Sequence, residues 1–155
     1  MPNEPFFKRI LVVCVGNICR SPTAEHILRQ ALEGSGCTVE SAGLAALVGK
    51  PIDPTALEIL TGKEQSPAPH AARQVTPAML AQADLILVME KRHLQDIVGA
   101  VPQVRGKTFL LGKWLGDAEI PDPFRKDRDA FEHAYVLIDQ SVTAWARKIC
   151  PTVSA

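Results

Sequence analysis

The chain has 155 residues, with 17 basic and 17 acidic side chains, so its formal net charge is zero at pH 7. That length fits a single domain spanning residues 1–155, with a core over about 8–148 and mobile ends. The balanced charge argues against a general binder of nucleic acid or anionic membranes. The start of the chain lacks a signal-type apolar core, and no apolar run reaches the roughly 18 residues of a membrane span. The expectation is a cytoplasmic protein without membrane insertion. Cys14, Cys19, Cys37 and Cys150 have neither zinc-site nor secreted-disulfide spacing, which predicts reduced thiols and no metal.

Strand-like and helix-like stretches alternate along the chain. This favours an α/β domain in three layers, with a mainly parallel sheet flanked by helices. The first strand is expected at Arg9–Val13 and the first helix at Thr23–Glu33, ending before Gly34-Ser35-Gly36, with Pro22 at its first position. A second strand, Thr38–Ser41, leads into a loop over Ala42–Pro54 and a short helix over Thr55–Leu60. Lys63–Gln74 reads as loop, and Thr76-Pro77 as an N-cap and helix start. Leu85–Met89 is uniformly apolar, as a strand covered on both faces should be, and a helix from Glu90 to about Val98 follows it. A fourth strand at Thr108–Leu111 precedes the irregular segment Gly112–Arg128. The last helix, Asp129–Lys148, sets Phe131, Tyr135, Ile138, Val142 and Trp145 on one face as core packing.

The chemistry gathers at Cys14-Val15-Gly16-Asn17-Ile18-Cys19-Arg20-Ser21-Pro22, between the first strand and the first helix. A loop that opens a helix presents backbone N–H groups and a positive dipole to an anion. Gly16 and Asn17 tolerate the positive φ that lets such N–H groups converge. A thiol placed there ionises readily. Arg20 can grip a tetrahedral oxyanion with two parallel hydrogen bonds, and the Ser21 hydroxyl can donate to the thiolate. Taken alone, the Cys-x5-Arg-Ser string is weak, because a cysteine at a strand end is often only a small buried hydrophobe. Its placement between strand and helix points instead to a nucleophile for phosphorus. Zero net charge then requires the positive potential to be concentrated in one small site.

The same stretch resembles the signature of the low-molecular-weight protein tyrosine phosphatases. The likeness continues through Ser41-Ala42-Gly43, His70-Ala71-Ala72-Arg73-Gln74, Met89-Glu90 and Asp122-Pro123-Phe124. Gly43–Lys50, Met89–His93 and Glu119–Lys126 are similar, more narrowly, to bacterial members associated with exopolysaccharide or capsule production. With right-handed crossovers, the resemblance implies four parallel strands in the order 2-1-3-4. It also implies a phosphate-binding loop after strand 1, formed by Val15, Gly16, Asn17, Ile18, Cys19, Arg20 and Ser21.

The resemblance makes Cys14 the nucleophile, Arg20 the phosphate-holding cation and Asp122 the general acid; by itself, Asp-Pro is also a common turn. It makes Asn17, Ser41 and His70 a network supporting the loop, although an isolated histidine like His70 is often merely solvated. Cys19 either packs behind the loop or, as in relatives, pairs with Cys14 to protect it from irreversible oxidation. Leu47 and Phe124 are the expected walls around an aromatic substrate. Leu47 lies where animal members carry an aromatic residue, and Phe124-Arg125 replaces their tyrosine pair. His26, His93 and His133 are expected on the surface or on helix faces, and Cys37 and Cys150 receive no role. The implied activity is metal- and cofactor-free hydrolysis of phosphotyrosine by a monomer. The implied partner is a membrane tyrosine autokinase. Arsenate reduction on the same fold and non-catalytic phosphopeptide binding remain open as alternatives.

Overall fold

The computed structural model describes residues 5–151. Four strands, β1 (Arg9–Cys14), β2 (Thr38–Gly43), β3 (Leu85–Val88) and β4 (Thr108–Leu110), form one sheet in the order β2-β1-β3-β4. Every pairing is parallel, with Val12 opposite Ser41 and Leu87, and Cys14 opposite Gly43. Five helices flank the sheet: α1 (Arg20–Ala31), α2 (Pro54–Gly62), α3 (Pro77–Gln82), α4 (Lys91–Ala100) and α5 (Arg128–Ile149). Short 3-10 turns occupy Pro102–Lys107 and Lys113–Leu115. The expected α/β architecture and strand order are both found.

Side chains of a strand alternate between its two faces, and here the alternation builds two cores. Ile10 and Val12 of β1 and Leu85 and Leu87 of β3 pack with Leu28 of α1 and with Ile138, Val142 and Trp145 of α5. Leu11, Val13, Ile86 and Val88 face the other way, toward Leu80 of α3 and Ile97 of α4. All four residues of β3 are therefore buried, which explains the unbroken apolar run. On α5, Phe131, Ile138, Val142 and Trp145 are buried and Tyr135 is half-buried, so the helical stripe is the packing face. The indole of Trp145 also donates to the Leu110 carbonyl at 3.2 Å, tying α5 to the edge strand.

Boundaries differ from expectation in instructive places. Helix α1 starts at Arg20, so Pro22 is its third residue; the first turn's N–H groups lack partners inside the helix anyway, and proline is tolerated there. Strand β2 runs on to Gly43 because that residue pairs with Cys14. Thr76 does cap α3, accepting from the Met79 N–H at 3.2 Å. Asp127 caps α5, accepting from Ala130 at 3.0 Å, so the helix starts one residue earlier than expected, at Arg128. Of the expected mobile ends, residues 1–4 and 152–155 lie outside the described residues. Just inside them, the Phe6 N–H donates to the Ile149 carbonyl at 2.8 Å.

Candidate active site

The loop after β1 is held by its carbonyls. Those of Cys14, Val15 and Gly16 accept from the N–H groups of Leu44, Ala45 and Leu47 at 2.9–3.0 Å. The Ile18 carbonyl accepts from Asp53 at 2.7 Å, and His70 Nε2 lies 2.6 Å from the Asn17 carbonyl oxygen. With the carbonyls committed outward, residues Cys14 to Arg20 line a cleft of about 170 Å³ beyond the carboxyl end of β1. That is the position expected for a ligand site in a parallel sheet. The remaining lining residues are Ala45, Leu47, Asp122 and Phe124.

Asn17 is the keystone. Its φ of 59° lies in the left-handed region, and its side chain is fully buried. Its Nδ2 donates to Ser21 Oγ at 2.8 Å and to Ser41 Oγ at 2.9 Å, while Oδ1 accepts from the Arg73 N–H at 2.9 Å. Ser41 in turn hydrogen-bonds the Glu25 carboxylate. Gly43 lies against this loop so closely that a Cβ would sit 2.4 Å from the Val15 carbonyl oxygen. Gln74 completes the clamp, donating to the Leu44 carbonyl and accepting from the Ala46 N–H.

At the cleft floor, Cys14 Sγ lies 2.9 Å from Ser21 Oγ, and Cys14 is almost fully buried. Arg20 is 2% exposed, and a buried cation needs partners. Its Nη1 donates to Glu90 Oε2 at 2.7 Å and to the Ile120 carbonyl at 2.8 Å, while Nη2 is 3.7 Å from Asp122 Oδ2. Burial alone would raise the Glu90 carboxyl, but hydrogen bonding and charge from Arg20, with help from Arg92, hold it below the usual range. The Cys19 thiol is pushed far up by burial first, then by its neighbours Cys14, Asp53 and Asp122.

Asp122 sits on the opposite rim. Its Oδ1 accepts from the Phe124 N–H at 3.1 Å, in a turn of its own making, and its Oδ2 is the oxygen nearer Arg20. Leu47 and Phe124 are 44% and 37% exposed, forming apolar walls at the mouth. The Arg125 guanidinium lies 5.3 Å from the Phe124 ring centre.

The structure thus brings together Cys14, Arg20, Asp122, Leu47 and Phe124, with Asn17, Ser41 and His70 behind the loop. Of the two places expected for His93, surface or helix face, the structure gives the helix: it lies in the first turn of α4, 1% exposed, with its ring accepting from the Glu90 N–H. Glu25, Arg73, Gln74, Glu90 and the Ile120 carbonyl were missed as parts of the site. For Arg73, Gln74 and Glu90 the signal was present, in stretches noted only for their resemblance.

The description "low molecular weight phosphotyrosine protein phosphatase" belongs to the family model that matches residues 9–154. The chain belongs to this family of protein-tyrosine phosphatases. It is 48% identical over 143 residues to the low molecular weight protein-tyrosine-phosphatase Wzb of Salmonella typhimurium, covering 92% of this chain and 95% of that one. The solved structure of Vibrio vulnificus Wzb in complex with benzylphosphonate is similar at 49% identity and a TM-score of 0.87, covering 92% and 99% of the two chains. The Erwinia amylovora tyrosine phosphatase amsI gives 44% identity and a TM-score of 0.88, covering 93% and 94%. Among the readings open from sequence, the phosphatase is the one these relatives support, and the bacterial subgroup singled out there is the one they represent. In this phosphatase, no helix among the described residues is long and apolar enough to cross a membrane.

Proposed function

We propose that this phosphatase hydrolyses phosphotyrosine in two displacements at Cys14. The thiolate attacks phosphorus in line with the departing phenoxide while Asp122 donates a proton to that oxygen. Arg20 and the loop N–H groups of Val15 to Ser21 hold the equatorial oxygens through the transition state. The cysteinyl phosphate is then hydrolysed by water, with the Asp122 carboxylate as base and the Ser21 hydroxyl stabilising the departing Cys14 thiolate. The observation that carries the reading is the 2.9 Å approach of Ser21 Oγ to Cys14 Sγ on the floor of a cleft that Arg20 and Asp122 also line.

The apolar walls Leu47 and Phe124 accommodate an aromatic ring, and the buried thiolate is reached by a long phosphotyrosine rather than by phosphoserine. The benzylphosphonate bound by the Vibrio vulnificus relative has the same ring-and-tetrahedron shape. The protein substrate proposed is the tyrosine-rich tail of a membrane autokinase in exopolysaccharide or capsule production, met in the cytoplasm by a monomeric enzyme. Cys19 acts only after damage begins: peroxide converts the Cys14 thiolate to a sulfenic acid, and condensation with the Cys19 thiol forms a disulfide and releases water.

Phosphotyrosine and phosphoserine peptides, compared on wild type and Cys14→Ser, test the mechanism. Wild type should hydrolyse phosphotyrosine alone, Cys14→Ser should lose activity by at least about 10³-fold, and acid quenching during turnover should trap phosphate on Cys14. Full activity of Cys14→Ser, or no phosphoenzyme with wild type, refutes it. Arsenate consumption coupled to a thiol, without phosphotyrosine hydrolysis, would assign the cleft to arsenate reduction instead.

A further inference from the structure

Glu90 and His93 form a unit that no step of the cycle uses. Glu90 precedes α4, and its backbone N–H donates to His93 Nδ1 at 3.2 Å. The His93 backbone N–H donates in return to the Glu90 carbonyl at 3.0 Å. This reciprocal cap satisfies donors that a helix start leaves open. A ring nitrogen that accepts carries no proton, so the neutral ring must hold its proton on Nε2. That nitrogen is buried, and it reaches no acceptor at hydrogen-bond geometry. Glu90 Oε2 lies 3.4 Å from it, the same oxygen that accepts from Arg20 Nη1 at 2.7 Å.

We propose that His93 is a positioning residue for Arg20, acting through the Glu90 carboxylate. The cap fixes the tautomer, the tautomer leaves the Nε2–H beside Oε2 at 3.4 Å, and the carboxylate between ring and guanidinium accepts from Nη1. The rest of the guanidinium is thereby kept for the phosphoryl oxygens. A modest turn of the carboxylate, as Arg20 tightens on a bound anion, would bring the Nε2–H into a full hydrogen bond. Without that donor, Glu90 is oriented only by Arg20 and the exposed Arg92, whose Nε lies 3.2 Å from Oε1. The proposal rests on the reading that Arg20 grips the transferred phosphoryl group.

The two ring nitrogens can be tested apart. Asparagine offers an oxygen where Nδ1 sits but no donor toward Glu90. Glutamine offers an N–H near Nε2 but loses the cap. His93→Asn should keep the wild-type melting temperature, lower kcat on an aryl phosphate roughly tenfold, a size typical of lost orienting partners at metal sites, and weaken inhibition by inorganic phosphate. His93→Gln should melt about 2–4 °C lower and keep kcat and phosphate inhibition near wild type. A cap-only role predicts the reverse order, and a fully active His93→Asn overturns the proposal. If either variant fails to fold, nitrogen NMR of the wild-type ring decides. An unprotonated Nδ1, with an Nε2–H signal that shifts on adding phosphate, supports the assignment; a protonated Nδ1 or an unmoved Nε2–H signal refutes it. An Arg20→Lys control separates the two levels, because unchanged phosphate inhibition in that variant removes Arg20 itself from the anion site.

Discussion

The loop Cys14–Arg20 and the segment Asp122–Arg125 border one cleft but are held in opposite ways. The loop is tied by residues far away in sequence: Asp53, His70 and Arg73 bind its backbone or the Asn17 side chain, and Glu90 and the Ile120 carbonyl fix Arg20. The rim segment relies on its own turn, through Phe124 N–H to Asp122 Oδ1 and Lys126 N–H to the Pro123 carbonyl. The Arg20 side chain is 2% exposed and that of Asp122 is 43% exposed. Transition-state charge is stabilised best by dipoles that need no reorganisation, and that part of the site is the over-determined one. The proton donor serves whatever leaving group arrives, and it sits on the part with fewest restraints. Ile120 joins the two, its N–H on the Met89 carbonyl and its own carbonyl on Arg20.

The sharpest way to break this contrast is to weaken the loop side. In Arg20→Lys a single ammonium cannot serve Glu90, Ile120 and the phosphate together, because it lacks the planar fork. We expect kcat/KM to fall by about 10²–10³-fold, equally for phosphotyrosine and for aryl phosphates with acidic phenols, since every substrate shares the same phosphoryl group. The rim should behave differently. Asp122→Asn is expected to cost about 10²-fold on phosphotyrosine and far less where the departing phenol needs no proton. A plot of log kcat against leaving-group pKa tests both at once. Parallel lines for wild type and Asp122→Asn would show that the aspartate positions the substrate rather than donating a proton.

The contrast also marks how much could be read in advance. Periodicity revealed β3 and α5 because burial on two faces, or on one helical stripe, imposes residue types directly. The Cys14 loop was legible because its glycine, its left-handed asparagine and its arginine lie close together in sequence. Asp122 was legible only through resemblance, since Asp-Pro is a turn with or without catalysis. The partners of Arg20 were not legible as partners, although Glu90 stood in a stretch that resembles the family. Glu90 is brought to Arg20 by the pairing of β1 with β3, and Ile120 by its bond to Met89 at the end of β3, and neither contact leaves a local pattern. The burial of His93 left no local pattern either: it was expected on the surface or on a helix face, and only tertiary packing buries that face of α4.

The smallest expected effect concerns acid stability, and it sits on the loop side. Burial, and then the charge of Arg20, hold the His93 ring below the usual histidine range, against the opposing pull of Glu90. As pH falls through about 6.5, the unfolded chain therefore binds a proton that the folded chain refuses. The unfolded state binds more protons in this window, so stability falls with pH, by at most about 1.4 kcal/mol per pH unit for one group. Below the ordinary glutamate range Glu90 adds a second loss of the same sign, because its folded carboxylate resists the proton that the unfolded chain accepts. Urea unfolding of wild type and His93→Asn between pH 7.5 and pH 5 isolates the first window. The wild-type curve should descend more steeply than that of the variant, which has no ring to titrate. If the curves run parallel, His93 binds its proton equally in both states, and the buried ring contributes nothing to the acid sensitivity of the fold.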